Sequence, residues 1–232
     1  MRLLIALSFL ALTLPAWAQL YPSTSHDISE EEAQELFSDL KKENAKMEVK
    51  SECFERAHMW ALRAERIHQV AMEKVYLFFT YKFQMKHVVT GGFFNRPFTW
   101  WFHVAPAVRV NGELWVMDAT FTDKAMPLQE WTSSLMKNPE TCQELNEPQD
   151  YVIDRNSTNV YRNVENAKHQ CYFTTAPKSV YMPLEIGFYE DKGMKYKAPT
   201  TPATEWRPAT FNWALQSYKR KHQKEARQAL GF

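Results

Sequence analysis

The dipeptide Asn111-Gly112 constrains the fold of this chain more than any other short feature. Asn-Gly fits the two central positions of a type I′ turn, which joins adjacent antiparallel strands through a two-residue loop. The flanking runs, 99–110 and 113–118, are rich in β-branched and aromatic residues. The sequence therefore predicts a β-hairpin in this region.

A two-residue loop also fixes which residues of the hairpin face each other. Ala105 then lies opposite Asp118, and His103 shares a face of the sheet with Ala105 because side chains alternate along a strand. Asp118 becomes a diagonal neighbour of His103, at about 7–8 Å between backbones. A carboxylate in this place can orient the imidazole and stabilise its charged form. A bulge at Pro106 would shift the register and separate the two side chains.

Helices are predicted before this hairpin and at the end of the chain. Ser29 and Glu32 have the spacing of a capping box. Apolar periodicity predicts helices at about 29–46, 52–68, 127–137 and 208–230. A further strand is predicted at 74–83, with possible strands near 150–153 and 180–189. We expect one α+β domain over residues 19–232, in which N-terminal helices pack on an antiparallel sheet.

The N-terminal 18 residues have the layout of a secretory signal peptide. Arg2 precedes an apolar run, and Ala16-Trp17-Ala18 provides small residues for cleavage after Ala18. The alternative is a membrane anchor, but the run of about 12 residues is shorter than the roughly 20 that span a bilayer. We therefore expect a secreted or periplasmic protein without stable membrane association.

Export would place the three cysteines in an oxidising compartment. Three is an odd number, so only two of them can pair within the chain. Cys142 and Cys171 lie in loop-rich sequence, and a bridge between them would stabilise the fold by about 3–4 kcal/mol. Cys53 would then be a free thiol available for chemistry. The alternatives are a buried, inert Cys53 or a bridge that Cys53 itself forms.

Composition argues against several other classes of protein. The formal net charge is +1, which gives no electrostatic case for binding nucleic acid. The sequence contains no His-Glu-x-x-His, no Cys-x-x-Cys and no glycine-rich phosphate loop. We therefore expect neither a metal site nor a cofactor. The basic run at 219–228 is interpreted as a solvated helix face, with an acidic partner or a membrane surface as the alternative.

Cys53 lies at the start of the predicted helix 52–68. The free N–H groups and the helix dipole favour a thiolate at this position. A cysteine at a helix N-terminus beside a His-Asp hairpin is the arrangement of papain-like thiol enzymes. Cys53 would be the nucleophile, His103 the base, and Asp118 the residue that orients the imidazole. The backbone N–H of Cys53 would supply one donor of an oxyanion hole.

Three motifs together resemble the bacterial protein-glutaminase family. They are Cys-Phe-Glu-Arg-Ala-His at 53–58, Trp-Trp-Phe-His-Val-Ala-Pro at 100–106, and Trp-Val-Met-Asp-Ala-Thr at 115–120. The resemblance covers roughly residues 50–135 and includes Trp131. It implies a papain/transglutaminase-like fold and hydrolysis of glutamine side-chain amides in proteins or peptides, with release of ammonia. A Cys-His-Asp triad, here Cys53, His103 and Asp118, would act through a thioester.

The residues after the aspartate depart from the family's pattern. Asp118-Ala119-Thr120 stands where family members often have Asp-Pro-Ser and transglutaminase-like proteins commonly have Asp-Pro-Thr. The acceptor, water or an amine, is therefore left open. The alternatives are a transglutaminase-like acyl transferase or a cysteine peptidase on the same fold, or a non-catalytic secreted binding module.

Several neighbours of these residues are assigned other roles. Trp100 and Trp101 precede His103; one is expected in the core, and the other as a wall of the substrate slot. His58 lies about 140° around the helix from Cys53 and is interpreted as structural. Arg56 is expected to pair with Glu52, four residues earlier on the same helix.

Overall fold

The computed structural model describes residues 25–48, 51–80, 82–86, 102–145, 168–183, 190–191, 194–195 and 208–232. Its helices are α1 (Glu30–Asn44), α2 (Cys53–His68), α3 (Leu128–Leu135), α4 (Pro208–Ala214) and α5 (Arg220–Ala229). Its strands are β1 (Asp27–Ile28), β2 (Glu73–Phe79), β3 (Phe102–Val110), β4 (Glu113–Val116), β5 (Met126–Pro127), β6 (Gln143–Glu144), β7 (Cys171–Pro177), β8 (Glu190–Asp191) and β9 (Met194–Lys195). The predicted α+β class is confirmed.

The main sheet has the strand order β5-β4-β3-β2-β7-β6, with β1 paired beside the end of β3. Most neighbours are antiparallel, but β1 is parallel to β3 and β6 is parallel to β7. The expectation of an antiparallel sheet is therefore wrong for these two short strands. Both approach the sheet from distant parts of the chain, and no turn signal in the sequence sets their direction.

The hairpin forms as its turn residues predict. Asn111 and Gly112 have φ angles of 52° and 81°, so both adopt the left-handed conformation that a type I′ turn requires. Val110 pairs with Glu113, which is the expected register. The register continues as far as Pro106, whose carbonyl accepts the N–H of Met117 at 2.9 Å. The predicted pairing of β3 with β4 is therefore kept without a bulge.

The central strand pair β2–β3 carries packed layers on both faces. On one face, Tyr76 and Val104 pack in a cluster with Cys53 and Ala57 of α2. On the other face, Ala105 packs in a cluster with the apolar side chains of α3. This alternation along β3 holds the first turn of α2 against the middle of the sheet.

A disulfide joins Cys142 to Cys171 at the start of β7. Leu145 then donates its backbone N–H to the carbonyl of Phe173 at 2.7 Å, beside the β6–β7 pairing. Sequence analysis did not predict β7, although Cys-Tyr-Phe-Thr-Thr is rich in strand-forming residues. Strand β2 also ends earlier than expected: the N–H of Thr80 still bonds to Gln170 in the β2–β7 register, but the carbonyl of Thr80 accepts the N–H of Phe83, three residues on, at 3.0 Å.

The C-terminal helix is interrupted, contrary to the expectation of one helix over 208–230. A 3₁₀ turn at Leu215–Ser217 follows α4, and Tyr218 is extended before α5 begins. The backbone here bonds to the segment after α1 instead: Ser217 accepts from Glu48, and Lys219 donates to Lys46. These long-range bonds replace helical ones, so tertiary pairing overrides the local helical periodicity.

Several predictions lie outside the described residues. They concern the signal peptide at residues 1–18, Trp100 and Trp101, the possible strand at 150–153, and most of that at 180–189. Residues 180–183, which are described, do not form a strand. Within the described ranges, no helix has the length and apolar character needed to cross a bilayer.

Candidate active site

Cys53 is the first residue of α2, as the sequence indicates. The N-terminal turn is stabilised by Glu55, whose carboxylate accepts the backbone N–H of Glu52 at 3.2 Å. The N–H of Cys53 belongs to the first turn and has no acceptor within the helix. The thiol is outside the disulfide and is buried, with 5% of the residue exposed.

His103 and Asp118 are joined by a buried hydrogen bond. The distance between His103 Nε2 and Asp118 Oδ2 is 2.8 Å, and the exposed fractions of the two residues are 2% and 0%. The diagonal relationship expected from the hairpin register is therefore confirmed. Asp118 lies just beyond β4, where the chain turns, and its carbonyl accepts the N–H groups of Phe121 and Thr122.

The carboxylate of Asp118 has two further donors. The indole N–H of Trp131 donates to Oδ2 at 3.1 Å, and the backbone N–H of Thr120 donates to Oδ1 at 3.2 Å. Burial alone would raise the pKa of Asp118, but the charge and hydrogen bond of His103 and these two donors lower it overall. Asp118 is therefore ionised at neutral pH despite its complete burial.

His103 is held between Asp118 and Cys53. Burial by itself lowers the pKa of His103. The charge of Asp118, its hydrogen bond and the interaction with Cys53 outweigh burial and raise the pKa of His103 to about 9. Because Asp118 occupies Nε2, the nitrogen that remains for the thiol is Nδ1. The imidazole is therefore protonated at neutral pH, hydrogen-bonded to the Asp118 carboxylate and interacting with Cys53.

Two aromatic rings fix the plane of the imidazole. Phe121 meets His103 edge-on with ring centroids 5.1 Å apart, and Trp131 lies 5.9 Å away in a tilted orientation. Sequence analysis noted Trp131 only as part of the family resemblance and missed its bond to Asp118. The placement of Trp131 in the predicted helix 127–137, shortly after the aspartate, was the available signal.

A second buried polar group lies behind the first turns of α2. His58 is 1% exposed, and its Nδ1 lies 2.9 Å from the ammonium of Lys74, which itself is fully buried. Burial and then the charge of Lys74 hold the pKa of His58 well below its usual value, against a hydrogen bond with the backbone of Lys178. A neutral His58 is consistent with the structural role expected for it.

Arg56 departs from its predicted partner. Its guanidinium donates to the carbonyl of Ser51 and, at 2.9 Å, to the hydroxyl of Ser51, rather than pairing with Glu52. Both bonds tie α2 to the residues just before it. Arg56 therefore helps to fix the start of the helix on which Cys53 lies.

Within the part of the chain that the structure describes, no group of three or more His, Cys, Asp or Glu side chains has a geometry that could hold a metal ion. The described site consists of a thiol, an imidazole and a carboxylate with their supporting donors. Such a set has the groups that nucleophilic acyl chemistry uses.

Comparison with known proteins agrees with this chemistry. Residues 33–135 match a family model described as glutaminase. The matched segment contains most of α1 and all of α2, the hairpin and α3, and therefore Cys53, His103, Asp118 and Trp131. The searches of curated proteins and of solved structures give no match for this chain.

Proposed function

We propose, from the match of residues 33–135 to a family model described as glutaminase, that this protein deamidates glutamine side chains within proteins or peptides. The observation that carries the proposal is the buried His103, which contacts the Asp118 carboxylate on one side and interacts with Cys53 on the other. Cys53 is the nucleophile, His103 the general acid and base, and Asp118 the residue that orients the imidazole.

In the first half of the reaction, the Cys53 sulfur attacks the side-chain carbonyl carbon of glutamine as a thiolate, with its proton already on His103. A C–S bond forms, and the carbonyl oxygen becomes an oxyanion that the backbone N–H of Cys53 can bind. The tetrahedral intermediate collapses when the C–N bond breaks. His103 gives its proton to the departing nitrogen, so that ammonia leaves and a thioester remains.

In the second half, water replaces ammonia. His103, now neutral, takes a proton from the water as the water attacks the thioester carbon. The C–S bond then breaks, which releases glutamate and restores the pair of Cys53 and protonated His103. The charge of Asp118 stabilises the imidazolium at the start and end of the cycle.

The buried setting supports this assignment of roles. Asp118 has a lowered pKa and His103 a raised one, so the carboxylate and the imidazolium are both charged at neutral pH. The proton that the leaving nitrogen needs is therefore present before substrate binds. The thiol at a helix start beside a His-Asp hairpin also supports a papain/transglutaminase-like interpretation of the fold, with Trp100 and Trp101 proposed to wall the glutamine slot.

We propose that the protein acts outside the cytoplasm. The disulfide between Cys142 and Cys171 is compatible with an oxidising compartment. The layout of residues 1–18 is that of a signal peptide cleaved after Ala18. N-terminal sequencing of the protein recovered from the culture medium or periplasm of an expressing bacterium would test both statements.

The decisive experiment measures ammonia release from a denatured glutamine-rich protein, with wild type beside Cys53→Ala and a labelled primary amine in a parallel reaction. We expect ammonia, intact substrate chains, and the small mass increase that replacement of –NH₂ by –OH produces. Cys53→Ala should release no ammonia and leave the substrate mass unchanged, while keeping the circular dichroism spectrum of the wild type.

Other outcomes would contradict deamidation. Incorporation of the labelled amine in preference to water would identify an acyl transferase, and new peptide termini would identify a peptidase. Ammonia release by Cys53→Ala equal to that of wild type would show that Cys53 is not the nucleophile. A matched substrate in which asparagine replaces glutamine should release no ammonia above background.

A further inference from the structure

A row of aromatic rings leads from the nucleophile's helix to the protein surface. Phe54, the residue after Cys53, lies 5.1 Å from Tyr181 in an edge-on contact, measured between ring centroids. Tyr181 in turn lies 6.5 Å from Trp213 of α4. We call Phe54, Tyr181 and Trp213 the aromatic row.

The outer end of the aromatic row is open to solvent. Trp213 is 59% exposed, more than the other large apolar side chains that are exposed in the described ranges, Ile67 and Phe232 at 41% each. Phe232 stacks on Phe211 with centroids 3.8 Å apart, so its ring is already covered on one side. A single exposed apolar residue needs no explanation. Trp213 differs because its ring continues a packed series that ends beside Cys53.

Buried donors hold the middle of the row in place. The ammonium of Lys74 and the hydroxyl of Tyr76 both donate to the carbonyl of Val180, at 2.6 and 2.9 Å. Val180 directly precedes Tyr181, and the ring of Tyr181 also packs edge-on against His58 at 5.2 Å. Tyr181 is therefore fixed from strand β2 and from α2 at once. Ligands bind more tightly to a surface that is ordered in advance, because less conformational entropy is lost.

The length of the row matches a polypeptide rather than a free amino acid. Its two ring-to-ring steps place Trp213 within about 12 Å of Phe54, which is the reach of three to four residues of extended chain at about 3.3 Å each. Free glutamine in the slot beside Cys53 would not extend this far. A side chain about three positions along the peptide from the reactive glutamine would reach Trp213.

We propose that the aromatic row is a substrate subsite that binds an apolar or aromatic side chain about three residues from the reactive glutamine. This inference rests on the proposed function and adds a substrate class to it: glutamine within a polypeptide that carries an apolar residue nearby. Aromatic pairs add about 0.5–1.5 kcal/mol beyond the area they bury, and tryptophan is among the residues that most often dominate binding surfaces.

The test compares two end-blocked, uncharged peptides with one central glutamine. One has phenylalanine three positions before and three positions after the glutamine, and the other has serine at both places. We expect wild type to favour the phenylalanine peptide about 10-fold in kcat/KM, through KM, which corresponds to about 1.4 kcal/mol. Trp213→Ala should bring this ratio close to one with kcat unchanged, and Trp213→Phe should keep most of it.

Ile67→Ala is the matched control, because it removes another exposed apolar side chain near the far end of α2 and should leave the ratio unchanged. A wild-type ratio near one, or a ratio that survives Trp213→Ala, would overturn the proposal. Ammonia from the serine peptide would still support deamidation in that case.

A binding measurement separates failure of the subsite from failure of the proposed function. If neither peptide releases ammonia, fluorescence anisotropy of the labelled peptides with Cys53→Ala tests the row alone. Tighter binding of the phenylalanine peptide, lost in Cys53→Ala/Trp213→Ala, would support the row although deamidation had failed. Equal binding of the two peptides would contradict it.

Discussion

The indole N–H of Trp131 donates to Asp118 Oδ2 at 3.1 Å, where both residues are completely buried. The same oxygen accepts from His103 at 2.8 Å. Trp131 therefore fixes the carboxylate that orients the imidazole, although it lies 13 residues further along the chain, on α3. It is a positioning residue, since it acts on the proposed chemistry only through Asp118.

Trp131→Phe is expected to lower kcat about 10-fold with little change in KM, because the carboxylate loses one of its fixed donors. The free energy of unfolding should fall by about 2 kcal/mol, as for other buried hydrogen bonds to a charged group. Ammonia release and urea unfolding would measure the two effects. Trp60→Phe is a matched control: Trp60 is also buried, and its indole N–H has no hydrogen-bond partner among the residues that the structure describes. A similar fall in kcat for Trp60→Phe would show that the loss of a buried indole, and not the loss of the bond to Asp118, lowers the rate.

Asp118→Asn is expected to reduce kcat/KM about 100-fold or more, because the imidazolium loses its counter-charge. The pH profile should change with it. His103 has a pKa of about 9, so wild-type activity should fall as the pH rises through that value and the proton for the leaving nitrogen is lost. Without the charge of Asp118, the pKa of His103 falls, and this alkaline limb should move to lower pH. If activity falls at the same alkaline pH in Asp118→Asn as in wild type, a group other than His103 controls that fall.

Removal of the disulfide is expected to destabilise the protein by about 3 kcal/mol in the loop-entropy account. The bridge joins Cys142 to Cys171 at the start of β7, and Leu145, shortly after Cys142, packs in the cluster that contains Cys53. We therefore expect Cys142→Ser/Cys171→Ser to lower both Tm and kcat. Cys53→Ser is the control for Tm alone, since it removes a thiol without removing a bridge but also removes the proposed nucleophile. A Tm unaffected by dithiothreitol in the wild type would contradict the prediction.

The carboxylate of Asp39 links α1 to α2. It accepts from Arg63 Nε at 2.7 Å and lies 2.9 Å from His68 Nε2. Asp39→Asn is expected to lower the free energy of unfolding by about 1 kcal/mol at pH 7, because the pair is only partly exposed. Asp123→Asn should leave the free energy of unfolding unchanged within error, because Asp123, which pairs with Lys41, is almost fully exposed and its charge is screened by solvent.

The effect of Asp39 should depend on pH. Burial raises its pKa, but hydrogen bonds and charges of Arg63 and His68 lower it overall. A lowered pKa in the folded state gives stability that is present above the unfolded pKa of about 3.9 and is lost as the pH falls through the folded value. The difference between wild type and Asp39→Asn should therefore shrink in acid. Urea unfolding at a series of pH values would show it, and a constant difference would contradict the assigned charge.

The sequence by itself determined the parts of the candidate site that depend on local rules. The start of α2 near Cys53 was predictable because apolar residues with helical spacing begin there. The His103–Asp118 contact followed from the Asn111-Gly112 turn, which sets the register of the hairpin. Both of these features depend on spacing within a short stretch of chain. The pairing of Cys142 with Cys171 was one of the pairings that the sequence left open, and the structure confirms it.

The tertiary structure alone decided the features that join distant segments. Strand β7 enters the sheet beside β2, the C-terminal helix breaks at Tyr218 to bond with the segment after α1, and Trp131 reaches Asp118 from α3. The Lys74–Val180 bond and the aromatic row bring together residues that no periodicity relates. The physical reason is that these contacts gain their free energy from packing and hydrogen bonding between surfaces that form only after the chain has folded, so no local preference records them.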